Sequence, residues 1–390
     1  MSRSRERALG TFLGRFPALP SLLPHPRIAL SQGREPAMRT TARYTALTAA
    51  GLLALSSLTA CANDAASTAS TGSGGKGDGK GTKVKIMVGG LDKVIYLPAM
   101  LTQRLGYFDA EGLDVEMLSE PAGVQAETAL VSGQVQGAVG FYDHTLDLQV
   151  KGKEVESVVQ FSHAPGEVEI VSTEAEGDIT SPEDFKGKKL GVTGLGSSTD
   201  FLTKYLAVKN GVKVSEFTPV AVGAGPTFIA ALQQGAIDGG MTTDPTVATI
   251  LDKKAGKVLL DMRTPQGSED ALGGPYPSSS LYMQTDWVNS HKDTVQKLAN
   301  AFVKTLKWMS THSAAEIAEK MPTDYSQGNK LLYSVAIKNT LPMFTKDGVM
   351  PKNGPETVEK VLKAFNPNIQ NADVDLSKTF TTEFVEKAVG

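Results

Sequence analysis

The sequence predicts an α/β protein built from two lobes. Two similar stretches carry this prediction, ALVSGQVQGAVGFYDHT at residues 129–145 and ALQQGAIDGGMTTDPT at residues 231–246. Each is typical of a helix end, a glycine stop, a short apolar strand and a polar loop that opens another helix. The copies begin about a hundred residues apart, which is too far for a tandem solenoid and suits one copy in each lobe.

The loops after the two repeated strands are the first candidates for a binding site. In open α/β sheets, ligands bind at the carboxyl ends of the strands. Residues 140–144 and 242–244 are therefore expected at the mouths of two sheets. This arrangement predicts two lobes that close on a small molecule.

Composition excludes several classes of protein. The 390 residues are 41% hydrophobic and 21% charged, which is ordinary for a soluble protein with room for two cores. The formal net charge is -3, and eight arginines fall in residues 1–60, so no basic face is left for nucleic acid. A single cysteine, Cys61, rules out an internal disulfide and a cysteine-based metal site. We expect no metal, no cofactor and no catalytic residues.

The order of elements from Lys83 onward predicts a mostly parallel sheet in each lobe, with right-handed crossovers. Lobe I is assigned residues 83–165 and 280–390, and lobe II residues 166–279. A polar segment at 264–280 is interpreted as the loop that returns the chain to lobe I, and a last helix is predicted at 376–387. The predicted strands are 84–88, 113–117, 135–141, 155–161, 167–173, 190–193, 218–222, 236–241, 258–261 and 280–284.

The N-terminal part resembles a bacterial lipoprotein signal peptide. Residues 38–60 begin with Met38 and two arginines, continue through a short stretch of small and apolar residues, and end in Leu-Thr-Ala before Cys61. The resemblance implies that Cys61 is diacylated and anchors the chain, with palmitate among the acyl groups; the alternative is a buried free cysteine. Residues 61–82 are expected to be a flexible tether. Residues 1–37 are interpreted as upstream sequence translated from a misplaced start.

Two motifs resemble one family of binding proteins. LGYFDAEGLDV at residues 105–115 is similar to the signature GYF-x-x-EGLDV, and DFKGKKLGV at residues 184–192 matches a second motif of that family. The family comprises extracytoplasmic solute-binding proteins of ABC importers of the nitrate/sulfonate/taurine type, related to binders of thiamine pyrimidine precursors. It implies the type II periplasmic-binding-protein fold, with two lobes joined by two hinge strands.

The resemblance also implies partners and location. The protein would be a monomer outside the cytoplasm, held to the cell membrane only by its lipid, and would deliver a small solute to a membrane permease. The pyrimidine-precursor branch carries Trp-x-Pro-Asn in the first loop, where this chain has Leu-Asp-Lys-Val at residues 91–94. A pyrimidine-synthesising enzyme of the same fold looks to use a cysteine-rich iron site, whereas this chain has only Cys61.

The turn before the predicted helix at residue 201 is the best candidate for an anion site. Thr193, Gly196, Ser197, Ser198 and Thr199 lie where a strand, a glycine-rich turn and a helix N-terminus meet, so that amides and hydroxyls converge. The turn lacks the Gly-Lys pair of a phosphate loop, which argues against a nucleotide. The alternative is an ordinary N-cap.

The loop after the lobe I strand supplies the second group of candidates: Phe141, Tyr142, Asp143 and His144. An aromatic ring can form one wall of a pocket, and the acid or the imidazole can orient a ligand. The alternatives are core packing for Phe141, an N-cap for Asp143 and an ordinary hydrogen-bonded residue for His144.

Further candidates lie in both lobes. Thr243 and Asp244 follow the equivalent strand of lobe II, and Asp244 is equally suited to an N-cap. Tyr96 follows the first loop and is either a ligand contact or a core residue. Gly123 and Val124 begin a helix and can offer amides.

The charges of these loops restrict the ligand. No arginine lies in any predicted pocket loop, so amides, hydroxyls or Lys93 would have to hold an anion. Asp143 and Asp244 would instead suit an amine or a ring N–H group. The sequence therefore favours a neutral, zwitterionic or weakly anionic solute.

Overall fold

The structure is a computed structural model, and it describes residues 81–389. The interpretations of residues 1–37, of the signal at 38–60, of Cys61 and of nearly all the tether lie outside the described residues. Within the described range, no helix has both the length and the apolar character needed to span a membrane.

The described strands form two five-stranded sheets. They are β1 (Thr82–Val88), β2 (Leu113–Ser119), β3 (Gly137–Phe141), β4 (Val155–Gln160), β5 (Glu167–Ser172), β6 (Lys189–Val192), β7 (Thr218–Ala221), β8 (Gly239–Thr243), β9 (Gly256–Asp261) and β10 (Ser279–Gln284). The first sheet has the order β2-β1-β3-β10-β4 and the second β7-β6-β8-β5-β9. The prediction of two α/β lobes is confirmed.

The two sheets follow one plan. In the first, β1 is parallel to β2 and β3, while β10 is antiparallel to β3 and β4. In the second, β6 is parallel to β7 and β8, while β5 is antiparallel to β8 and β9. Strands β3 and β8, which the repeated stretches encode, therefore occupy the same central position in their sheets.

Helices pack on both sheets. They are α1 (Leu97–Arg104), α2 (Tyr107–Ala110), α3 (Gly123–Val131), α4 (Asp143–Val150), α5 (Ser198–Lys209), α6 (Pro226–Gln233), α7 (Thr246–Asp252), α8 (Pro265–Leu272), α9 (Thr285–Ser290), α10 (Lys292–Met309), α11 (Ala314–Lys320), α12 (Lys330–Thr340), α13 (Gly354–Phe365), α14 (Pro367–Gln370) and α15 (Glu383–Val389). Helix α10 buries an apolar stripe that includes Val295, Leu298, Phe302 and Leu306, as its 3.6-residue periodicity predicts.

Two segments differ from the sequence-based expectation. The segment 264–280, interpreted as a loop, contains α8, whose start is fixed by Pro265 in the first turn and by the Gly267 amide, which donates to Thr264 Oγ1 at 3.0 Å. The helix predicted at 376–387 begins only at Glu383, after a short turn at residues 376–378. Thr379 and Phe380 instead contact Tyr142. Thr379 is hydrogen-bonded to the Tyr142 hydroxyl, and the Phe380 ring packs against the Tyr142 ring.

Two chain crossings connect the lobes, at residues 161–166 and 273–278. The Tyr276 amide donates to the His163 carbonyl at 3.1 Å. The hydroxyls of Ser162 and Ser278 are hydrogen-bonded at 2.7 Å, and Ser278 also donates to the Ala164 carbonyl at 2.7 Å. The crossings therefore run side by side and are tied to each other.

Candidate functional site

A polar cleft lies between the lobes, where the central strands end. Strand β3 ends at Phe141 and strand β8 at Thr243, and each strand is soon followed by an aspartate, Asp143 or Asp244. Both carboxyl groups are fully buried. A buried carboxyl group needs hydrogen-bond partners, so the partners of these two residues define the site.

Asp143 connects lobe I to lobe II. The hydroxyl of Ser198, at the start of α5, donates to Asp143 Oδ1 at 2.9 Å. The hydroxyl of Tyr276, in a crossing segment, donates to Asp143 Oδ2 at 2.9 Å. Burial raises the pKa of Asp143, and the charge of His144 and these two hydrogen bonds oppose that rise.

Asp244 connects the lobes in the opposite direction. Its Oδ2 atom lies 2.8 Å from Arg263 Nη1 and accepts a hydrogen bond from Thr340 Oγ1, in α12, at 3.1 Å. Its main-chain carbonyl accepts from the Val94 amide of lobe I at 2.9 Å. Burial raises the pKa of Asp244, and the nearby charge of Arg263 opposes the rise. Arg263 follows β9 in a segment that was not assigned to the site, so the sequence analysis did not foresee an arginine beside Asp244.

A small cavity of about 10 Å³ lies at the centre of the cleft. It holds about one water molecule, so a larger solute needs the lobes further apart than they lie here. The lining residues come from both lobes: Lys93, Ile95, Tyr96, Gly123, Glu167, Thr193, Ser197, Ser198, Thr199 and Thr243. The structure thus brings seven of the residues singled out from the sequence around one cavity, namely Tyr96, Gly123, Thr193, Ser197, Ser198, Thr199 and Thr243.

The glycine-rich turn before α5 uses many of its donors within the protein. The Gly196 amide donates to Asp200 Oδ2 at 2.8 Å, and the Thr193 amide donates to Thr199 Oγ1 at 3.0 Å. Across the cleft, the Val124 amide donates to Ser197 Oγ at 3.3 Å. The Gly196 and Thr193 amides are therefore already paired within the protein rather than free for an anionic ligand.

Two of the aromatic candidates lie away from the cavity. Phe141 is buried and meets the Tyr96 ring edge to face, with the ring centroids 6.4 Å apart. Tyr142 is fully buried away from the cavity, and its hydroxyl is hydrogen-bonded to that of Thr379. The expectation that Tyr142 faces the ligand is not met, because consecutive residues after a strand point in different directions and Thr379 captures its hydroxyl.

His144 is buried behind the cavity. Its Nδ1 atom lies 2.8 Å from Glu127 Oε2, and its Nε2 atom closely approaches Gly123, where an added Cβ would lie 2.9 Å away. Burial lowers the pKa of His144, but the charge and hydrogen bond of Glu127 and the charges of Asp143 and Asp147 together outweigh burial and raise the pKa to about 9. His144 is therefore a charged structural group of lobe I.

Lys93 and Glu167 are two buried charges that line the cavity. Lys93 Nζ donates to the Gly89 carbonyl at 2.6 Å and to the Pro121 carbonyl at 2.9 Å. Burial lowers its pKa to about 8, although the charges of Asp92 and Glu167 act in the opposite direction. Burial also raises the pKa of Glu167 well above its usual range; the charge of Asp143 adds to this rise and Lys93 opposes it.

The sequence analysis missed the site roles of Glu167, Arg263, Tyr276 and Thr340. Glu167 begins β5, a fully buried strand in which acids alternate with apolar residues, and such a buried acid is a signal that could have been used. The other three act through contacts between distant segments, which no local pattern shows. In the described residues, no group of three or more histidine, cysteine or acidic side chains is arranged to hold a metal ion.

Two α/β lobes with a polar cleft at the carboxyl ends of their central strands define a two-lobed protein of the type II periplasmic-binding-protein fold. The chain belongs to the NMT1/THI5-like family, whose model matches residues 95–315. A 4-amino-5-hydroxymethyl-2-methylpyrimidine phosphate synthase of Schizosaccharomyces pombe is 31% identical over 147 residues, which cover 37% of this chain and 40% of that protein. The match thus spans less than half of that relative.

Solved structures share the fold. A Bordetella bronchiseptica RB50 protein is 35% identical with a TM-score of 0.76, and the match covers 79% of this chain and 97% of that one. The alkanesulfonate-binding protein SsuA from Xanthomonas axonopodis pv. citri, bound to MOPS, is 16% identical with a TM-score of 0.62 and coverage of 77% and 98%. At that identity the second match shows the fold alone.

Proposed function

We propose that this protein is the extracytoplasmic substrate-binding component of an ABC-type importer, and that it captures a small organic solute by closing the cleft. One observation carries the proposal: Asp143 and Asp244 each accept a hydrogen bond from the opposite lobe, and residues of both lobes line a polar cavity. A solute that contacts both lobes favours their closed arrangement, and its differential affinity for that arrangement drives closure. A membrane permease would then recognise the closed form.

The proposal includes an anchor and a set of ligands. Diacylated Cys61 would hold a monomeric protein at the membrane surface, and residues 61–82 would give it reach. The candidate solutes are sulfonates such as taurine, nitrate-like anions and aromatic acids. The likeness to an alkanesulfonate-binding protein supports this list through the shared fold. No bond is broken in such a cycle, so no catalytic residue is proposed.

A second candidate function rests on the curated relative. That protein is named as a pyrimidine phosphate synthase, so this chain would be either a binder of pyrimidine precursors or an enzyme on the same fold. Buried acids in the cleft suit the amino group of a pyrimidine. A binder and an enzyme can be told apart, because a binder returns its ligand unchanged whereas an enzyme converts it.

A thermal-shift screen tests the proposed function. The chain with Cys61→Ser, which blocks acylation, would be melted with sulfonates, nitrate, aromatic acids and pyrimidines. A true ligand at a hundredfold excess over its Kd should stabilise the protein by about 2.7 kcal/mol. Recovery of the ligand unchanged after denaturation supports the binder. No shift with any compound, together with turnover of one of them, would overturn the proposal.

A further inference from the structure

Glu167 is a buried acid in the cleft with an unused hydrogen-bonding atom. It begins β5, is 2% exposed and lines the cavity. Its Oε2 atom has no hydrogen-bond partner among the described residues. Leaving a buried carboxyl oxygen unpaired is costly, so a residue of this kind at a binding cleft indicates a partner that the protein does not supply.

The fold itself does not need an acid at this position. Glu167 lies opposite Thr243, at the end of the central strand of lobe II. Ser279 occupies the same register in lobe I, opposite Phe141, and its hydroxyl donates to Ser162 Oγ at 3.1 Å. Lobe I thus fills the position with a small residue that is satisfied internally, whereas lobe II places a carboxyl group there.

The other charged groups near the cavity are already engaged. Asp143 accepts from Ser198 and Tyr276. Lys93 donates to two main-chain carbonyls, and the charges that act on it are those of Asp92 and Glu167. Among the described residues that line the cavity, Glu167 is the acidic one, and its Oε2 atom is unpaired.

We propose that Glu167 determines specificity by accepting a hydrogen bond from an N–H group of the solute, either an amine, an amidine or a ring amino group. This inference rests on the proposed function and narrows its list of solutes. An ionised carboxylate accepts from an amidinium or an ammonium group, and a neutral carboxyl group matches an amino group beside a ring nitrogen. A simple sulfonate, nitrate or carboxylate offers no N–H group to pair with the Oε2 atom of Glu167.

Two isosteric substitutions test the inference. Glu167→Gln exchanges half of the acceptor capacity for an amide donor. Glu169→Gln is the matched control, because Glu169 lies two residues along the same strand, is equally buried and also has an unpaired oxygen, but does not line the cavity. The full chain with Cys61→Ser would be titrated with benzamidine and 4-aminopyrimidine as N–H donors, and with benzoate, methanesulfonate and nitrate as acceptors.

We expect a donor to bind the parent chain, to bind Glu167→Gln at least about tenfold more weakly, and to bind Glu169→Gln within about twofold of the parent. Melting without ligand shows whether each variant folds. Binding of acceptors but of neither donor overturns the role of Glu167 and leaves capture of a solute standing. Equal donor binding by Glu167→Gln and the parent also overturns it. If neither the donors nor the acceptors bind, the inference is overturned too. The proposed function is then judged by the wider screen for binding and turnover.

Discussion

The two lobes share one strand plan but use it differently. At equivalent positions in the central strands, lobe I has Ala138 paired with Met87, whereas lobe II has Gly240 paired with Gly191. The aspartates that follow also differ, because hydroxyl groups hold Asp143 and an arginine holds Asp244. The comparison shows that a repeated backbone fixes where a polar group stands, while non-repeated segments decide its chemistry.

The largest expected effect on stability concerns the close approach of two strands in lobe II. A Cβ atom added to Gly240 would lie 2.2 Å from the Gly191 carbonyl oxygen, so Gly240→Ala must displace backbone. We expect a loss of more than about 4 kcal/mol in the free energy of unfolding, measured with urea. The reciprocal change Ala138→Gly should cost only about 1 kcal/mol. Similar losses from both variants would show that the two strands pack alike.

The two aspartates provide the next test. Asp244→Asn removes one of the two carboxylates that pair with Arg263, and because Asp261 stays paired with it we expect a loss of about 1.5–3 kcal/mol in the free energy of unfolding. Asp143→Asn keeps a neutral polar group near Ser198 and Tyr276, and should cost about 1 kcal/mol. Urea unfolding of both variants in the chain with Cys61→Ser measures the difference. A larger loss from Asp143→Asn would contradict the assignment of the ion pair to lobe II.

The lobes should also respond differently to pH. The pKa of His144 is raised from 6.5 to about 9, so its stabilising effect is complete below the unfolded pKa and is lost as the pH rises through the folded one. The difference in unfolding free energy between the parent and His144→Gln should shrink by about 3 kcal/mol from about pH 6 to about pH 10. Arg263 in lobe II stays charged throughout, because a guanidinium does not titrate in this range. A constant difference across this range would exclude the charged His144–Glu127 pair.

The smallest test concerns closure alone. Thr340→Val removes one hydrogen bond between the lobes and leaves Asp244 paired with Arg263. Losing about 1 kcal/mol should shift the closed-to-open ratio roughly fivefold toward the open arrangement. Spin labels at the exposed positions Gln103 and Lys213, one in each lobe, would measure the distance distribution. Ser198→Ala, on the other side of the cleft, should act similarly; an unchanged distribution in both variants would contradict the role of these bonds in closure.

Local patterns in the sequence predicted the strands well. The repeated stretches at 129–145 and 231–246 encode the central strand of each sheet, because apolar runs between glycines are strong local signals. The start of α8 was missed even though Thr264 and Pro265 are ordinary helix-start residues, because the glycines and prolines around them favoured a loop. The last helix was predicted to begin too early, because the hydrogen bond between Thr379 and Tyr142 holds that segment out of a helix.

The site was predictable only in part. Seven candidate residues gather around the cavity because their places follow from strand ends, which local patterns reveal. The partners of Asp143 and Asp244 were not predictable, since Tyr276, Arg263 and Thr340 reach them from segments far away in the chain. The sequence left each aspartate open as a ligand contact or an N-cap, whereas in the structure both are hydrogen-bonded within the protein, and Asp244 Oδ1 accepts from the Ala248 amide.

The paired crossings between the lobes have a practical consequence. Because Ser162 and Ser278 are hydrogen-bonded, the two crossings are tied together, which favours rotation of the lobes about a common hinge. One hinge angle is then the natural coordinate for opening and closing. A donor and an acceptor fluorophore, one on each lobe, would convert that angle into a ratiometric optical signal, so the chain is a natural scaffold for a reagentless biosensor of its own solute.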